Sequence, residues 1–204
     1  VTGAAGELGA AVARSLAGDD IRVYAADLND AMGGAWIVPL RLDVTDRAAV
    51  FALARRAASE TALGIWVNTA GIFLPVKARE AAEADWHRII AVNLTGTYHG
   101  CAAALEVMAG TGGRIVNVGS IAGQVGSSGV HPAYGASKAG VHNLTKTYAR
   151  AGIRHGVYCN AVAPGPIEGR MISKFGEDAL RRLRRDHPMG RIGAMAEGGY
   201  AIRH

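Results

Sequence analysis

Short runs of apolar, β-prone residues recur along this chain of 204 residues, separated by longer amphipathic or alanine-rich stretches. These runs lie at 21–26, 36–40, 65–70, 114–120 and 157–163. Their apolar character is nearly continuous rather than alternating, which is typical of parallel strands that are covered on both faces. The stretches at 46–60, 83–109 and 134–151 have the length and patterning of helices. This alternation predicts a single α/β domain with a doubly wound parallel sheet and helices on both faces.

Two parts of this pattern are shorter than expected, and a crossover between parallel strands usually takes about a dozen residues or more. Asp27 ends one strand and Trp36 opens the next with only eight residues between them, and only 39 residues follow Pro164 and Gly165. We therefore expect that the sequence omits segments within 28–36 and 190–198. Val1 has the position of the last residue of a first strand.

The composition argues against several classes of protein. Half of the residues are apolar and 19% are charged, and no run reaches the ~18 apolar residues of a membrane helix. Cys101 and Cys159 lie far apart without metal-ligand spacing, so we expect reduced, buried thiols, a cytoplasmic protein and no metal site. The densest positive charge, at 180–187, has no aromatic partners, which argues against nucleic-acid binding. That run is either a solvated helix face or a rim that attracts an anionic substrate or an acidic partner.

Glycines stand between a strand end and a helical run in VTGAAGELGAAVARSLA, at Gly3, Gly6 and Gly9. They permit a tight turn and a close approach of the backbone to a pyrophosphate at the helix N-terminus. The alternative is a glycine-rich turn that only begins the helix and binds no ligand. Asp27 ends the next strand, where a carboxylate accepts hydrogen bonds from an adenosine ribose and repels a 2′-phosphate, unless it only caps a helix. Together these features predict a Rossmann-like nucleotide site that favours NAD(H) over NADP(H).

Tyr134 and Lys138 stand four residues apart in AYGASKAG, and a helix places such side chains on one face. A free phenol has a pKa near ~10, too high for a good base at neutral pH. An ammonium ~5 Å away contributes roughly 3 kcal/mol at an effective dielectric of ~20, which predicts a phenol pKa about two units lower. The pair is a candidate acid–base site, and an ordinary pair on a helix surface is the alternative.

Seven segments, taken together and in order, resemble the motifs of the short-chain dehydrogenase/reductase family. They are TGAAGELG at 2–9, LDVTD at 42–46, VNTAG at 67–71, VNLTG at 92–96, VGSIAG at 118–123, YGASK at 134–138 and NAVAPGPI at 160–167. The whole chain looks most like the 3-oxoacyl-thioester reductases and the sugar or diol dehydrogenases of that family. The resemblance implies an oxidoreductase that moves hydride between NAD(H) and a secondary alcohol or ketone, with a 3-oxoacyl thioester as a candidate substrate.

The resemblance also implies roles for individual residues. Tyr134 is the expected general acid and base, Lys138 its activator and a ligand of the nicotinamide ribose, and Ser120 polarises the substrate oxygen. Asn93 is expected to help hold a water that connects Lys138 to solvent. The other cofactor contacts are expected from Gly3, Gly6, Leu8, Gly9, Asp27, Leu28, Asp43, Val44, Asn68, Ala70, Gly71, Pro164, Gly165 and Ile167.

Four departures from the family pattern accompany this resemblance. Glu7 stands at the position of the middle glycine of the nucleotide turn, and a carboxylate near a diphosphate is unfavourable unless it points to solvent. Thr69 replaces an asparagine, and Gly169 replaces a threonine that often binds the carboxamide. Ser120 and Tyr134 are fourteen residues apart, one more than the family pattern.

Two other functions remain open at this point. A non-catalytic dinucleotide-binding redox sensor has no need for Ser120, Tyr134 and Lys138 together. An epimerase or dehydratase of the longer branch of the family is suggested by the T-G-x-x-G-x-x-G spacing of the nucleotide turn, but it normally needs a larger C-terminal domain.

The resemblance implies an assembly as well. A homo-oligomer is expected, commonly a tetramer packed through the helices of 83–109 and 134–151. Residues at about 167–190 are expected to form a lid over the substrate. The segment EGGYA at 197–201 resembles the last strand of the family, which often lies by the subunit interface.

Overall fold

The computed structural model describes residues 1–18 and 21–203, and the five strands predicted from apolar runs are present in it. The strands are β1 (Val23–Asp27), β2 (Ile37–Arg41), β3 (Ile65–Asn68), β4 (Gly113–Val118) and β5 (Val157–Val162). The helices are α1 (Glu7–Leu16), α2 (Arg47–Glu60), α3 (Glu83–Ile90), α4 (Gly96–Met108), α5 (Ala122–Val125), α6 (Pro132–Gly152), α7 (Glu177–Asp186) and α8 (Met195–Arg203). Short 3-10 helices lie at Ala78–Glu80, Ile153–His155 and Ile172–Lys174.

The strands form a parallel sheet whose two parts meet at Thr2. β1 pairs with β2, and β3, β4 and β5 pair in that order, all in parallel. Thr2 makes parallel bridges to Ala26 in β1 and to Asn68 in β3. It therefore lies between the two parts, as expected of a residue at the end of a strand there. The predicted doubly wound α/β fold is confirmed.

Apolar side chains are buried on both faces of the sheet. On one face, α2 and α4 pack on the strands through Val50 and Met108, and on the other face α1 and α8 pack through Val12 and Ile202. Each of these four side chains is at most 5% exposed. Burying one such side chain completely contributes about 1.5–3 kcal/mol. The two layers hold the C-terminal ends of the strands side by side.

A π-helical segment, Ala91–Thr95, divides the helix that the sequence predicts at 83–109. Such π turns occur often at functional sites. Asn93 lies in the middle of this segment and is fully buried. Its Nδ2 donates to Ser137 Oγ in α6 at 3.2 Å, and Thr97 Oγ1 donates to its backbone carbonyl at 2.8 Å.

Residues 197–201 lie in α8, so the expected strand at this position is wrong. Glu197 helps to begin the helix, because its Oε2 accepts from the backbone N–H of Ala194 at 2.7 Å. Gly198 faces α1, where a Cβ added to it would lie 3.0 Å from Leu8 Cδ1. The glycine that resembles a strand motif therefore allows two helices to pack closely.

The connection between β1 and β2 contains no helix among its residues 28–36. Gly34 and Ile37 form an antiparallel bridge just before β2, and Gly193 forms a parallel bridge with Ile167 after β5. The expectation that the sequence omits segments within 28–36 and 190–198 stays a prediction.

Candidate active site

A cleft of about 1420 Å³ opens where the C-terminal ends of the strands meet. In open parallel sheets, ligands bind at this edge. The cleft is lined by sixteen of the residues that the sequence analysis selects: Gly3, Gly6, Leu8, Gly9, Asp27, Leu28, Asp43, Val44, Ala70, Gly71, Ser120, Tyr134, Lys138, Pro164, Gly165 and Ile167. The structure therefore brings together residues from the whole length of the chain.

Asn68 is not among the residues that line the cleft, and its side chain is buried. That Asn68 contacts the cofactor stays a prediction. Asn68 Oδ1 accepts from Trp66 Nε1 at 2.7 Å, and its Nδ2 donates to Asn117 Oδ1 at 2.8 Å. Asn117 continues the chain of hydrogen bonds by donating to Thr145 Oγ1 at 2.9 Å. These buried amides connect β3, β4 and α6. Asn68 thus supports the strands under the cleft.

The glycine turn leaves no room for larger residues. Gly3 has a φ of 69°, and a Cβ added to it would lie 2.6 Å from Ala70 Cα. A Cβ added to Gly9 would overlap Gly3 O and lie 2.7 Å from Thr69 Oγ1. Thr69 Oγ1 itself donates to Thr2 O at 2.5 Å, which ties the end of β3 to the turn. This close backbone packing at the start of α1 fits the pyrophosphate of a dinucleotide.

Asp27 faces the same turn from the end of β1. Its Oδ2 accepts from the backbone N–H of Ala5 at 3.0 Å, and its Oδ1 accepts from the backbone N–H of Asn29 at 2.9 Å. These bonds hold a carboxylate at the edge of the cleft. Asp43 lines the cleft one strand further on, where its Oδ1 accepts from Thr45 N at 2.8 Å.

Asn93 stands behind the cleft and holds its wall. Its Oδ1 accepts from the backbone N–H of Ile72 at 2.8 Å, and its Nδ2 donates to Ile72 O at 3.1 Å. A Cβ added to the neighbouring Gly71 would lie 3.4 Å from Asn93 Oδ1 and 3.7 Å from Lys138 Nζ. Asn93 and Lys138 therefore approach the same glycine. That Asn93 holds a water beside Lys138 stays a prediction.

Tyr134 and Lys138 are both buried on one face of α6. Lys138 Nζ donates to Val118 O at 2.7 Å and lies 5.8 Å from the centroid of the Tyr134 ring. Burial lowers the pKa of Lys138 to about 8. Burial also raises the pKa of Tyr134, and a hydrogen-bonding interaction with Ser120 acts in the opposite direction. The predicted lowering of the phenol pKa is therefore wrong, because the effect of burial outweighs that of Ser120.

Ser120 follows β4 and is held from two sides. Its backbone N–H donates to His142 Nε2 at 3.3 Å, and its Oγ accepts from the backbone N–H of Ala122 at 3.1 Å. Burial and the charges of Lys138 and Lys146 lower the pKa of His142, which keeps the imidazole neutral and able to accept. This contact between Ser120 and His142 is not among the predictions from the sequence. The spacing of His142 from Lys138, one helical turn along α6, is the signal that points to it.

Phe73 and Phe175 form an apolar wall beside Tyr134. Ring centroids lie 5.1 Å apart for Phe73 and Tyr134 and 5.6 Å apart for Phe73 and Phe175, both in edge-to-face geometry. Val130 is buried in the same cluster. The sequence contains no periodic signal for this wall, because its members come from separate loops. A carbonyl next to Tyr134 would therefore have apolar surroundings.

Several residues of the lid predicted at about 167–190 line the same cleft: Glu168, Arg170, Met171, Ile172, Phe175, Ala179, Arg182, Leu183 and Asp186. Among the arginines of α7, Arg182 reaches the cleft. Arg181 instead pairs with Asp178, and Arg185 pairs with Asp186. The basic run is therefore divided between the cleft and ion pairs on the helix surface.

The remaining expectations concern thiols, metals and membranes. Cys101 and Cys159 are free and buried, as predicted. Within residues 1–18 and 21–203, no group of three His, Cys, Asp or Glu side chains is arranged to hold a metal ion. None of the helices in the described part of the chain combines the length and the hydropathy needed to cross a bilayer.

Comparison with known proteins finds relatives along the whole chain. The family model described as short chain dehydrogenase matches residues 1–180. The chain is 38% identical to cis-4-hydroxycyclohexanecarboxylate dehydrogenase of Sinomonas cyclohexanicum, over 99% of this chain and 86% of that protein. It is 35% identical to (3R)-3-hydroxyacyl-CoA dehydrogenase of Homo sapiens, over 95% of this chain and 82% of that protein. The crystal structure of gox2181 superposes with a TM-score of 0.91 at 31% identity, covering 99% of this chain and 85% of that chain.

Proposed function

Because this chain belongs to the short-chain dehydrogenase family and is an oxidoreductase of secondary alcohols or ketones, we propose that it uses NAD(H) and that Tyr134 is its acid and base. The observation that carries the proposal is the burial of Tyr134, Lys138 and Ser120 at one cleft whose far end holds the carboxylate of Asp27. The apolar wall of Phe73 and Phe175 beside Tyr134 supports it independently.

The proposed mechanism follows from these positions. Bound NADH supplies the hydride in the direction of reduction. The Tyr134 hydroxyl gives its proton to the carbonyl oxygen, while Ser120 Oγ donates a hydrogen bond to that oxygen as negative charge develops on it. The ammonium of Lys138, anchored on Val118 O, stabilises the phenolate that remains. In the direction of oxidation, the same phenolate accepts the proton of the alcohol.

The substrate that we propose for a first test is a short 3-oxoacyl thioester. Phe73, Phe175 and Val130 provide an apolar surface for an acyl chain next to Tyr134. The human relative is named for a 3-hydroxyacyl-CoA and the bacterial relative for a hydroxylated cyclohexane ring. Both names describe a secondary alcohol, on an acyl chain in the first case and on a cyclohexane ring in the second. Reduction of such a ketone with loss of NADH absorbance is the experiment that tests the proposal.

We propose that NAD(H) is favoured because Asp27 repels the 2′-phosphate of NADP(H). Asp27→Ser keeps a short hydrogen-bonding side chain beside Ala5 but removes the charge. We expect the ratio of kcat/KM for NADH to kcat/KM for NADPH to fall about thirtyfold to a hundredfold, equivalent to roughly 2–3 kcal/mol of like-charge repulsion. The measurement is steady-state kinetics with each cofactor on the same ketone.

Asp30→Asn is the matched control for this prediction. It removes a carboxylate that lines the same cleft three residues after Asp27, but Asp30 has no hydrogen bond to the nucleotide turn in the structure. The cofactor ratio should change by less than about threefold. A parent protein that prefers NADPH, or an unchanged ratio in Asp27→Ser, would contradict the assignment of Asp27.

We also propose a cytoplasmic homotetramer that packs through α3, α4 and α6. A shallow apolar depression on this surface is lined by Leu94, Thr95, Tyr98, Gly140, Asn143, Leu144 and Thr147. Tyr98 is 43% exposed at its edge. We expect size-exclusion chromatography with light scattering to give the mass of four chains. Tyr98→Arg should shift the protein to smaller species, because it places unpaired charge in the interface; a monomeric parent protein would contradict the proposal.

A further inference from the structure

A contact between Glu7 and Arg170 joins the lid to the nucleotide turn. The backbone N–H of Arg170 donates to Glu7 Oε2 at 2.7 Å, and Arg170 Nε lies 3.8 Å from Glu7 Oε1. Arg170 Nη2 also donates to Ala5 O at 3.4 Å. Glu7 is the first residue of α1, and Ala5 lies in the turn before it. The Arg170 side chain is therefore held over the start of the helix.

Gly169 makes this contact possible. Its φ is 145°, and a Cβ added to it would overlap Glu7 Oε2 and lie 3.2 Å from Glu7 Cδ. A threonine at this position, as the family pattern has it, would displace the carboxylate. The two departures at Glu7 and Gly169 therefore belong together: the carboxylate fills the space that a side chain at 169 would occupy.

The charges at this place matter because the pyrophosphate of a dinucleotide lies at the N-terminus of the first helix. A bare Glu7 carboxylate would repel it, whereas a guanidinium forms paired, charge-assisted hydrogen bonds with phosphate oxygens. The Arg170 side chain is 74% exposed, so N–H groups of its guanidinium are accessible to a ligand. We propose that Arg170 is a ligand of the cofactor pyrophosphate and that Glu7 holds it in place. This inference rests on the proposed dinucleotide-binding function.

The probe for this inference is ADP-ribose, which carries the pyrophosphate without the nicotinamide, so that its binding does not depend on turnover. By calorimetry, Arg170→Gln is expected to weaken ADP-ribose binding about twentyfold, because the ligand loses the guanidinium and meets a carboxylate that has lost its counter-charge. The double variant Glu7→Gln/Arg170→Gln is expected to bind about threefold more tightly than Arg170→Gln, since that carboxylate is gone. The affinity of the parent protein should fall more steeply with salt than that of Arg170→Gln.

Arg181→Gln is the matched control, since Arg181 pairs with Asp178 on α7 and does not line the cleft. It should bind ADP-ribose within about twofold of the parent protein. The inference is overturned if Arg170→Gln binds as tightly as the parent, or if the double variant binds no more tightly than Arg170→Gln. Those results would leave dinucleotide binding intact, whereas a parent protein that does not bind ADP-ribose contradicts the proposed function itself. Arg170→Ala replaces Arg170→Gln if the latter does not fold.

Discussion

Tyr134→Phe is expected to lower kcat for ketone reduction about a thousandfold, while the affinity for NADH changes by less than about twofold. The substitution removes one oxygen atom and with it the proton that the carbonyl oxygen receives. The ring retains its edge contact with Phe73, whose centroid lies 5.1 Å away, so that the wall of the cleft keeps its shape. Steady-state kinetics and a fluorescence titration with NADH measure the two quantities.

Tyr148→Phe is the matched control for this variant. Tyr148 lies on the same helix, α6, but packs against the hydrophobic core rather than the cleft. Removing the hydroxyl of Tyr148 should leave kcat within about twofold of that of the parent protein. If Tyr134→Phe retained a tenth or more of the activity, Tyr134 would not be the general acid.

Lys138→Met is expected to lower kcat about a hundredfold and to raise the free energy of unfolding at pH 7 by roughly 1–3 kcal/mol. The activity falls because the phenolate of Tyr134 loses the positive charge that stabilises it. The stability rises because the buried ammonium costs free energy, as its pKa of about 8 shows. Kinetics and chemical denaturation test the two effects separately, and a variant that is both inactive and less stable would contradict this account.

The stability effect should depend on pH in a defined direction. The pKa of Lys138 is lowered from 10.5 to about 8 in the folded protein. Between these values the unfolded chain binds more protons at this group than the folded protein, so the parent protein gains stability as the pH rises. The advantage of Lys138→Met is therefore complete below about pH 8 and shrinks towards pH 10.5. Lys146→Met, an exposed residue on the same helix, should show no such trend.

The strands and the order of the site segments could be predicted from the sequence because both depend on local patterns. Continuous apolar runs identify β1 to β5, and the four-residue spacing of Tyr134 and Lys138 places both on one face of α6. The glycine turn is equally local. Gly3 has a positive φ, and a side chain at position 9 would overlap the backbone of the turn.

Features that depend on distant parts of the chain could not be predicted in this way. The sequence indicates that Asn68 ends a strand, but its pairing with Asn117 on β4 decides that its amide lies below the cleft. The pKa of Tyr134 depends on how much of the chain covers it, which no spacing reveals. The contact of Glu7 with the backbone of Arg170 joins residues 163 positions apart.

Oxidation of NADH and of NADPH should be measured in separate assays, with a short 3-oxoacyl thioester and a panel of simple ketones and sugars. We expect turnover with at least one ketone, a higher kcat/KM with NADH, and loss of that turnover in Tyr134→Phe. Tight NADH binding without turnover on any member of the panel would contradict the proposed function, and would favour a dinucleotide sensor instead.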